Sequence, residues 1–418
     1  MKDPMGSDPA GSDPYRSSRL SGQTFDVLVV GGGIIGAGIA WDASLRGLSC
    51  ALIEQGEFAS GTSSKTTKLI HGGLRYLEQL DFRLVRAALH ERNILLAIAP
   101  EWVHPLPFLI PVRAGRPRPW PLVCLGVVLY DLFAGNKRIG RHRFLGEEQL
   151  RRQEPRLLEN GYRRAVLYYD AQMDDVGLVR AVLRAAERAG ALLRSHARVV
   201  RLVKESGRVS GAEIEDARSG NREVIQAKRV VNATGPWADQ VRRLANPQAK
   251  PLVRMSKGIH LVYPDIGLKE ALLVSSEQDG RIFFLIPWKG NTLIGTTDTD
   301  YTGNPGDAKA EPADVEYLLQ EANRALPSFG IRKEKILSTF AGVRPLVAQE
   351  TKDPWAVSRS HRIYEEGGLL TVVGGKFTTF RKIAEDVVDR LAGSFPDHKL
   401  APCRTATEPL IQISNATP

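Results

Sequence analysis

Cysteine is scarce: Cys50, Cys124 and Cys403 are the only three in 418 residues. They form no CxxC pair and no even framework. That excludes a disulfide scaffold and a cysteine-rich zinc site, fits a reducing compartment and leaves no metal to expect. Long apolar runs are missing as well. The longest uncharged one, Trp120 to Tyr130, is eleven residues, whereas crossing a bilayer takes about 20. The first 22 residues, MKDPMGSDPAGSDPYRSSRLSG, lack the apolar segment of a signal peptide. With their tandem GSDPA/GSDPY they read as a disordered leader outside the fold. Neither charge sign dominates: 57 Lys and Arg against 47 Asp and Glu leave +10, within an ordinary 43% hydrophobic composition that excludes wholesale disorder and fibrous classes. A basic excess suits nucleic acid, an anionic membrane or an acidic small substrate. The positive charges are dispersed and no aromatic–basic platform occurs, so nucleic acid is set aside.

Order is expected from Phe25. Phe25–Val30 is a Val-rich run of the kind buried on both faces; Ile34–Leu45 has helical length, with Gly47 as its stop signal, and Cys50–Glu54 reads as a second strand. Together they make a βαβ unit. Asp81–Ile98 has the pattern of an amphipathic helix with charged outer positions. Seven prolines between 100 and 121 exclude a continuous helix there. Residues 146–158 read as a charged helix or loop, Val176–Ala189 as a helix and Ala191–Val203 as a strand region. Lys228–Ala233 and Leu369–Val373 are further apolar strands, and Thr378–Leu391 a late helix. Between 252 and 300, strands alternate with turns, which predicts an antiparallel sheet.

Gly31-x-Gly33-x-x-Gly36 lies between the first strand and helix. Gly31 suits the tight turn, Gly33 the approach of backbone to a pyrophosphate, and Gly36 close packing of helix on sheet. The helix N-terminus offers free amides to phosphate. Glu54 follows Gly36 by 18 residues, where a carboxylate accepts hydrogen bonds from ribose hydroxyls. Two more glycine turns end apolar strands, at Ala233-Thr234-Gly235 and at Gly374-Gly375-Lys376-Phe377-Thr378. One long cofactor touched by distant segments suits FAD better than NAD.

These segments carry a resemblance. Lys68-Leu-Ile-His71-Gly72-Gly73-Leu-Arg75-Tyr76-Leu-Glu78 resembles the signature of the FAD-dependent, quinone-linked glycerol-3-phosphate dehydrogenases. So do Val231-Asn-Ala-Thr-Gly-Pro-Trp237, Ile294-Gly-Thr-Thr-Asp298, Ala341-Gly-Val-Arg-Pro-Leu346 and Gly374 through Lys382, in the family's order from about Phe25 to Arg390. The resemblance implies an α/β fold: a Rossmann-like FAD-binding domain with an inserted α+β substrate domain carrying an antiparallel sheet, similar to glycine oxidase. The expected division is a leader to 22, FAD-binding parts at 23–100, 161–250 and 341–392, a membrane-facing segment at 101–160, a substrate domain at 251–340 and a short tail at 393–418. It further implies oxidation of sn-glycerol 3-phosphate to dihydroxyacetone phosphate, with hydride to flavin N5 and electrons to a membrane quinone. A related branch uses oxygen. Family members usually continue into a further helical domain after the segment matching Phe377–Lys382; here 36 residues follow Lys382. That cap is therefore expected to be missing or vestigial, which bears on a homodimer and on the electron acceptor.

The substrate would be a small dianion, and phosphate is best held by charge-assisted bonds. By motif match the anion-binding residues are Arg75, Tyr76, His260, Arg344, Arg359 and Lys376. Removing the hydroxyl proton calls for a base near neutrality: His71 is the first candidate and His260 the second, while Lys376 and Arg344 could polarise the reacting groups. The cofactor set is Gly31, Gly33, Ile34, Ile35, Gly36, Glu54, Gln55, Thr62, Ser63, Ser64, Leu69, His71, Gly72, Gly73, Val199, Ala233, Thr234, Gly235, Gly375, Lys376, Phe377 and Thr378. Arg113, Arg116 and Arg118 precede the Trp120–Tyr130 run, which reads equally as a segment lying on an anionic membrane surface or as a buried helix; the resemblance favours the membrane, at its cytoplasmic inner face. Two other readings remain: an oxidase of an amine or hydroxy acid, and an FAD-binding module without catalysis.

Overall fold

A computed structural model describes residues 20–113, 118–135, 139–348, 360–396 and 399–411. The chain enters through β1 (Thr24–Val30), α1 (Ile34–Leu45) and β2 (Cys50–Ile53). Strand β2 is buried throughout and β1 beyond Thr24, as a Val-rich strand between two covering layers must be. Ten of the twelve residues of α1 are buried too. This helix has no solvent face, since the helices Asp175–Arg188 and Phe380–Ala392 flank it. Leu20, inside the segment read as leader, is fully buried in the same sheet's core. Residues 1–19 of that leader lie outside the described residues.

The first sheet has a parallel centre: Leu369–Gly374, Arg222–Asn232, β1, β2 and Leu192–Arg194 lie side by side in that order. Val30 is in register with both Asn232 and Ile53. The carboxyl ends of strands far apart in sequence therefore share one rim, where open α/β sheets bind ligands. An antiparallel arm, Ala197–Glu205 with Arg208–Asp216, hangs from the Arg222–Asn232 strand.

The second sheet has ten strands and is mainly antiparallel. It draws on two stretches, 69–173 and 253–347, which corrects the expected division. Arg164–Met173, assigned above to the cofactor unit, pairs along its whole length with Val103–Val112, and Ser338–Val347 pairs with Val253–Pro264 well past residue 340. Val103–Val112 contains Pro105, Pro107 and Pro111. Their alternate spacing puts the missing N–H groups along one edge of the strand. On the far side from Arg164–Met173, only Phe108 and Leu109 have partners among the described residues, so that edge tolerates proline.

Two helices close this half. α2 (Phe82–Ile98) is capped by Asp81, whose carboxylate accepts the Leu84 amide at 3.1 Å. Its charged residues are not all outside, as amphipathicity suggested: Glu91 and Arg92 are each 2% exposed, because each has a buried ion-pair partner, Arg381 and Asp170. α3 (Trp120–Ala134) is buried on one side only. Val127, Tyr130 and Ala134 are buried, while Leu122, Leu125, Val128 and Leu132 are 42–69% exposed. Phe133 packs on the exposed Phe82 and Trp120 on the exposed Phe144, widening the apolar face. No helix among the described residues is long and apolar enough to cross a membrane.

Candidate active site

A groove of about 940 Å³ runs along the rim of the first sheet and between the two sheets. At one end Gly31 turns with φ +109°, and a Cβ there would sit 2.7 Å from the Ala233 carbonyl oxygen. Only glycine lets β1 and the Arg222–Asn232 strand end this closely together. Gly33, at the N-cap of α1, has no side chain to satisfy the helix amides; Ser63 Oγ takes that of Ile34 at 3.0 Å. Glu54 accepts the Gly32 amide at 2.7 Å and the Gly56 amide at 3.0 Å. Burial pushes its carboxyl up from the usual range while these amides pull it down.

Most residues expected at the cofactor line this groove: Gly31, Gly33, Ile34, Ile35, Glu54, Gln55, Thr62, Ser63, Leu69, His71, Gly73, Val199, Ala233, Thr234, Gly235, Gly375, Lys376, Phe377 and Thr378. Three do not. Gly36 is pressed against the Gly31 carbonyl, a packing role rather than a ligand contact. Gly72 faces the other way, into Leu89 and Tyr130. Ser64 bends back to the carbonyls of Gly61 and Ser60 at 3.2 and 3.5 Å. The hydroxyl-rich loop is in fact tied largely to protein. Thr62 donates to Val343 O at 2.6 Å and Thr66 to Asp175 at 2.7 Å, while Lys68 and Asp175 form a buried pair at 2.8 Å.

The other end is cationic. Arg75 and Lys376 both lie over the Tyr76 ring, at 4.8 and 4.9 Å from its centroid, and all three line the groove. Lys376 Nζ donates to His71 O at 3.1 Å, and Thr378 Oγ1 accepts the His71 amide at 3.2 Å. Arg344 reaches in from Ser338–Val347, donating to Thr296 Oγ1 at 2.9 Å and pairing with Asp298 at 3.3 Å. Arg359 lies outside the described residues.

The two histidines differ in setting. Burial, then the charges of Lys376, Arg75 and Arg92, push the His71 imidazole well below its ordinary value. His260 stacks on Phe340 at 4.8 Å, and its Nε2 is 3.0 Å from Thr67 Oγ1. Its Nδ1 is buried without a hydrogen-bond partner among the described residues. Burial, Arg344 and Lys68 likewise hold it neutral. Sequence reasoning missed Tyr168, Asp170 and Asp298, which also line the groove. Asp298 sat inside a quoted motif; Asp170 had no local signal, because its partners come from α2 and α3.

The groove suits FAD: it is lined by distant segments of the chain, with an amide-rich helix start, a buried carboxylate and several cationic side chains. Residues 26–379 match the model of the FAD dependent oxidoreductase (DAO) family. The aerobic glycerol-3-phosphate dehydrogenase of Staphylococcus haemolyticus is 38% identical over 398 residues, 94% of this chain and 72% of the relative. The glycerol-3-phosphate dehydrogenase of Mycobacterium leprae is 39% identical over 391 residues, covering 93% and 66%. Among solved structures, the Bacillus halodurans glycerol-3-phosphate dehydrogenase complexed with FAD superposes with a TM-score of 0.76 at 32% identity, over 93% of this chain and 68% of that one. Glycine oxidase from Geobacillus kaustophilus, at 21% identity, shares the fold with a TM-score of 0.68 over 94% and 99%. Motif, groove and relatives agree: this chain belongs to the FAD-dependent glycerol-3-phosphate dehydrogenase family, a branch of the FAD-dependent oxidoreductases.

Proposed function

We propose that the chain oxidises sn-glycerol 3-phosphate to dihydroxyacetone phosphate. The observation that carries this reading is that three cationic side chains, Arg75, Lys376 and Arg344, line the same groove as the dinucleotide turn. An amine or a hydroxy acid, with at most one negative charge, would not need that many cations; a phosphate dianion does. Gly31–Ile35, Glu54 and the Gly375–Thr378 turn would hold FAD, which when bound would supply the two-electron acceptor for alcohol oxidation. Arg75, Arg344 and Lys376 hold the phosphate and fix the alcohol carbon against the flavin. His71, kept neutral by burial and then by its cationic neighbours, takes the hydroxyl proton, with His260 second in line. A bound dianion offsets those cations, so the imidazole is a better base with substrate present than without.

The proposed electron acceptor is a membrane quinone. α3 supports it: the outer face of that helix is apolar and exposed, and its inner residue Tyr130 reaches Asp170 on the groove wall. A lipid-seated α3, at the anionic cytoplasmic face of a membrane, would put the groove one side chain from where a quinone dissolves. Anaerobic mixing with glycerol 3-phosphate tests the activity: the visible flavin band bleaches if the reading is right. Bleaching by glycine or sarcosine instead would transfer it to the amine oxidases.

A further inference from the structure

Beneath the His71–Gly73 turn lies a closed polar cluster that the mechanism leaves unused. Asp170, from Arg164–Met173, is 2% exposed. Its Oδ1 accepts Arg92 Nη1 at 2.8 Å and the Gly72 amide at 3.4 Å. The Tyr130 hydroxyl lies 2.8 and 2.7 Å from its two oxygens. Arg92 belongs to α2 and Tyr130 to α3, and each is at most 2% exposed. Two helices and a strand thus meet at one carboxylate, which lines the groove together with His71. Nothing there can shift freely. A Cβ on Gly72 would lie 2.6 Å from both Leu89 Cδ2 and the Tyr130 hydroxyl.

A buried ion pair is weak evidence for stability, because apolar residues of the same shape often serve as well. Its position says more. We propose that Asp170 is a positioning residue for hydride transfer: it holds the Gly72 amide, and with it His71 and the Gly73 turn, against the flavin, and it neutralises Arg92 so that this cation does not act on the reacting groups. The inference rests on the reading of the groove as an FAD and glycerol 3-phosphate site. The groups that bear on His71 are Arg75 from its own turn, Lys376 and Thr378 beyond Leu369–Gly374, Arg92 from α2, Asp170 and Tyr168 from Arg164–Met173, and Tyr130 from α3.

Asp170→Asn keeps the shape and removes the charge. In FAD-loaded protein, a reductive titration with dithionite should find the flavin midpoint potential shifted positive, because an uncompensated Arg92 favours the reduced, more negative flavin. The kcat should fall about 10–100-fold, the loss typical of a misplaced reacting group, with KM little changed. The acid limb of the kcat–pH profile should move to lower pH, because a further cation disfavours the His71 imidazolium. Asp170→Asn combined with Arg92→Gln restores neutrality and should return the potential to the wild-type value, which a merely structural role would not do. A wild-type potential and pH limb in Asp170→Asn, or no return in the double variant, overturns the proposal. Tyr130→Phe keeps the ion pair and so keeps the test open should Asp170→Asn fail to fold. It should lower kcat about two- to tenfold, the worth of one hydrogen bond, and an unchanged kcat counts against the cluster. The titration needs no substrate, so failure of glycerol 3-phosphate to reduce the wild-type flavin would reject the proposed activity while leaving the effect of Asp170 on potential measurable.

Discussion

The two ends of the groove are made of different material. The dinucleotide end is main chain: a glycine turn, helix amides and strand ends set in register by a parallel sheet. The substrate end is side chains, carried in by the HGGLRY turn, the Gly375–Thr378 turn and two strands of the second sheet, and braced from behind by buried ion pairs. A backbone site tolerates change in most of its side chains but not in its turn; a side-chain site depends on each charge and on whatever holds that charge still.

The largest expected effect strikes the bracing. Lys68→Met leaves Asp175 buried without its cation and should cost about 3–5 kcal/mol of stability, measured by denaturant unfolding; a loss under 1 kcal/mol would mean the loop does not lean on this pair. Next, Arg344→Ala should lower kcat/KM by about 2–5 kcal/mol with FAD content intact, as for a lost charge contact. Loss of flavin together with activity would blur the division between the ends. Third, Glu54→Ala strands the amides of Gly32 and Gly56 and should weaken FAD retention by about 1–3 kcal/mol, with substrate preference unmoved; a fully yellow variant breaks the comparison from the other side. The smallest effect concerns pH. His260 is held neutral when folded, whereas the unfolded chain takes up that proton below a pH of about 6.5. Stability from this residue is thus present above that pH and lost as pH falls toward the depressed native value. Unfolding of His260→Gln between pH 7 and 5 should therefore depend less steeply on pH than that of the wild type, and equal slopes would remove the histidine from the account.

Local signals read well where a segment's environment is written in its own pattern. Phe25–Val30, Ile34–Leu45 and Cys50–Glu54 needed only apolar runs and glycine punctuation, and β1, α1 and β2 coincide with them to within one residue. Partners distant in sequence were invisible. The ladder between Val103–Val112 and Arg164–Met173 was hidden by prolines that exclude a helix but do not announce a strand. Glu91 and Arg92 looked like solvent positions because their counter-charges sit at Arg381 and Asp170. Ser64 matched its loop's chemistry but turns inward, a matter of backbone path rather than residue type. The cations of the substrate end became legible only through family motifs, since no spacing relates Arg75 to Arg344.

The parallel rim has a consequence for how the protein comes into being. Its pocket walls are contributed by strand ends at Val30, Ala233 and Gly374, and the last of these follows the first only after most of both sheets has been synthesised. Until that strand docks beside Arg222–Asn232, the Gly375–Thr378 turn is not in place and the groove lacks one of its walls. Acquisition of colour during synthesis would accordingly be a late, all-or-nothing event, and a time course of yellowing would report completion of the sheet rather than formation of its first half.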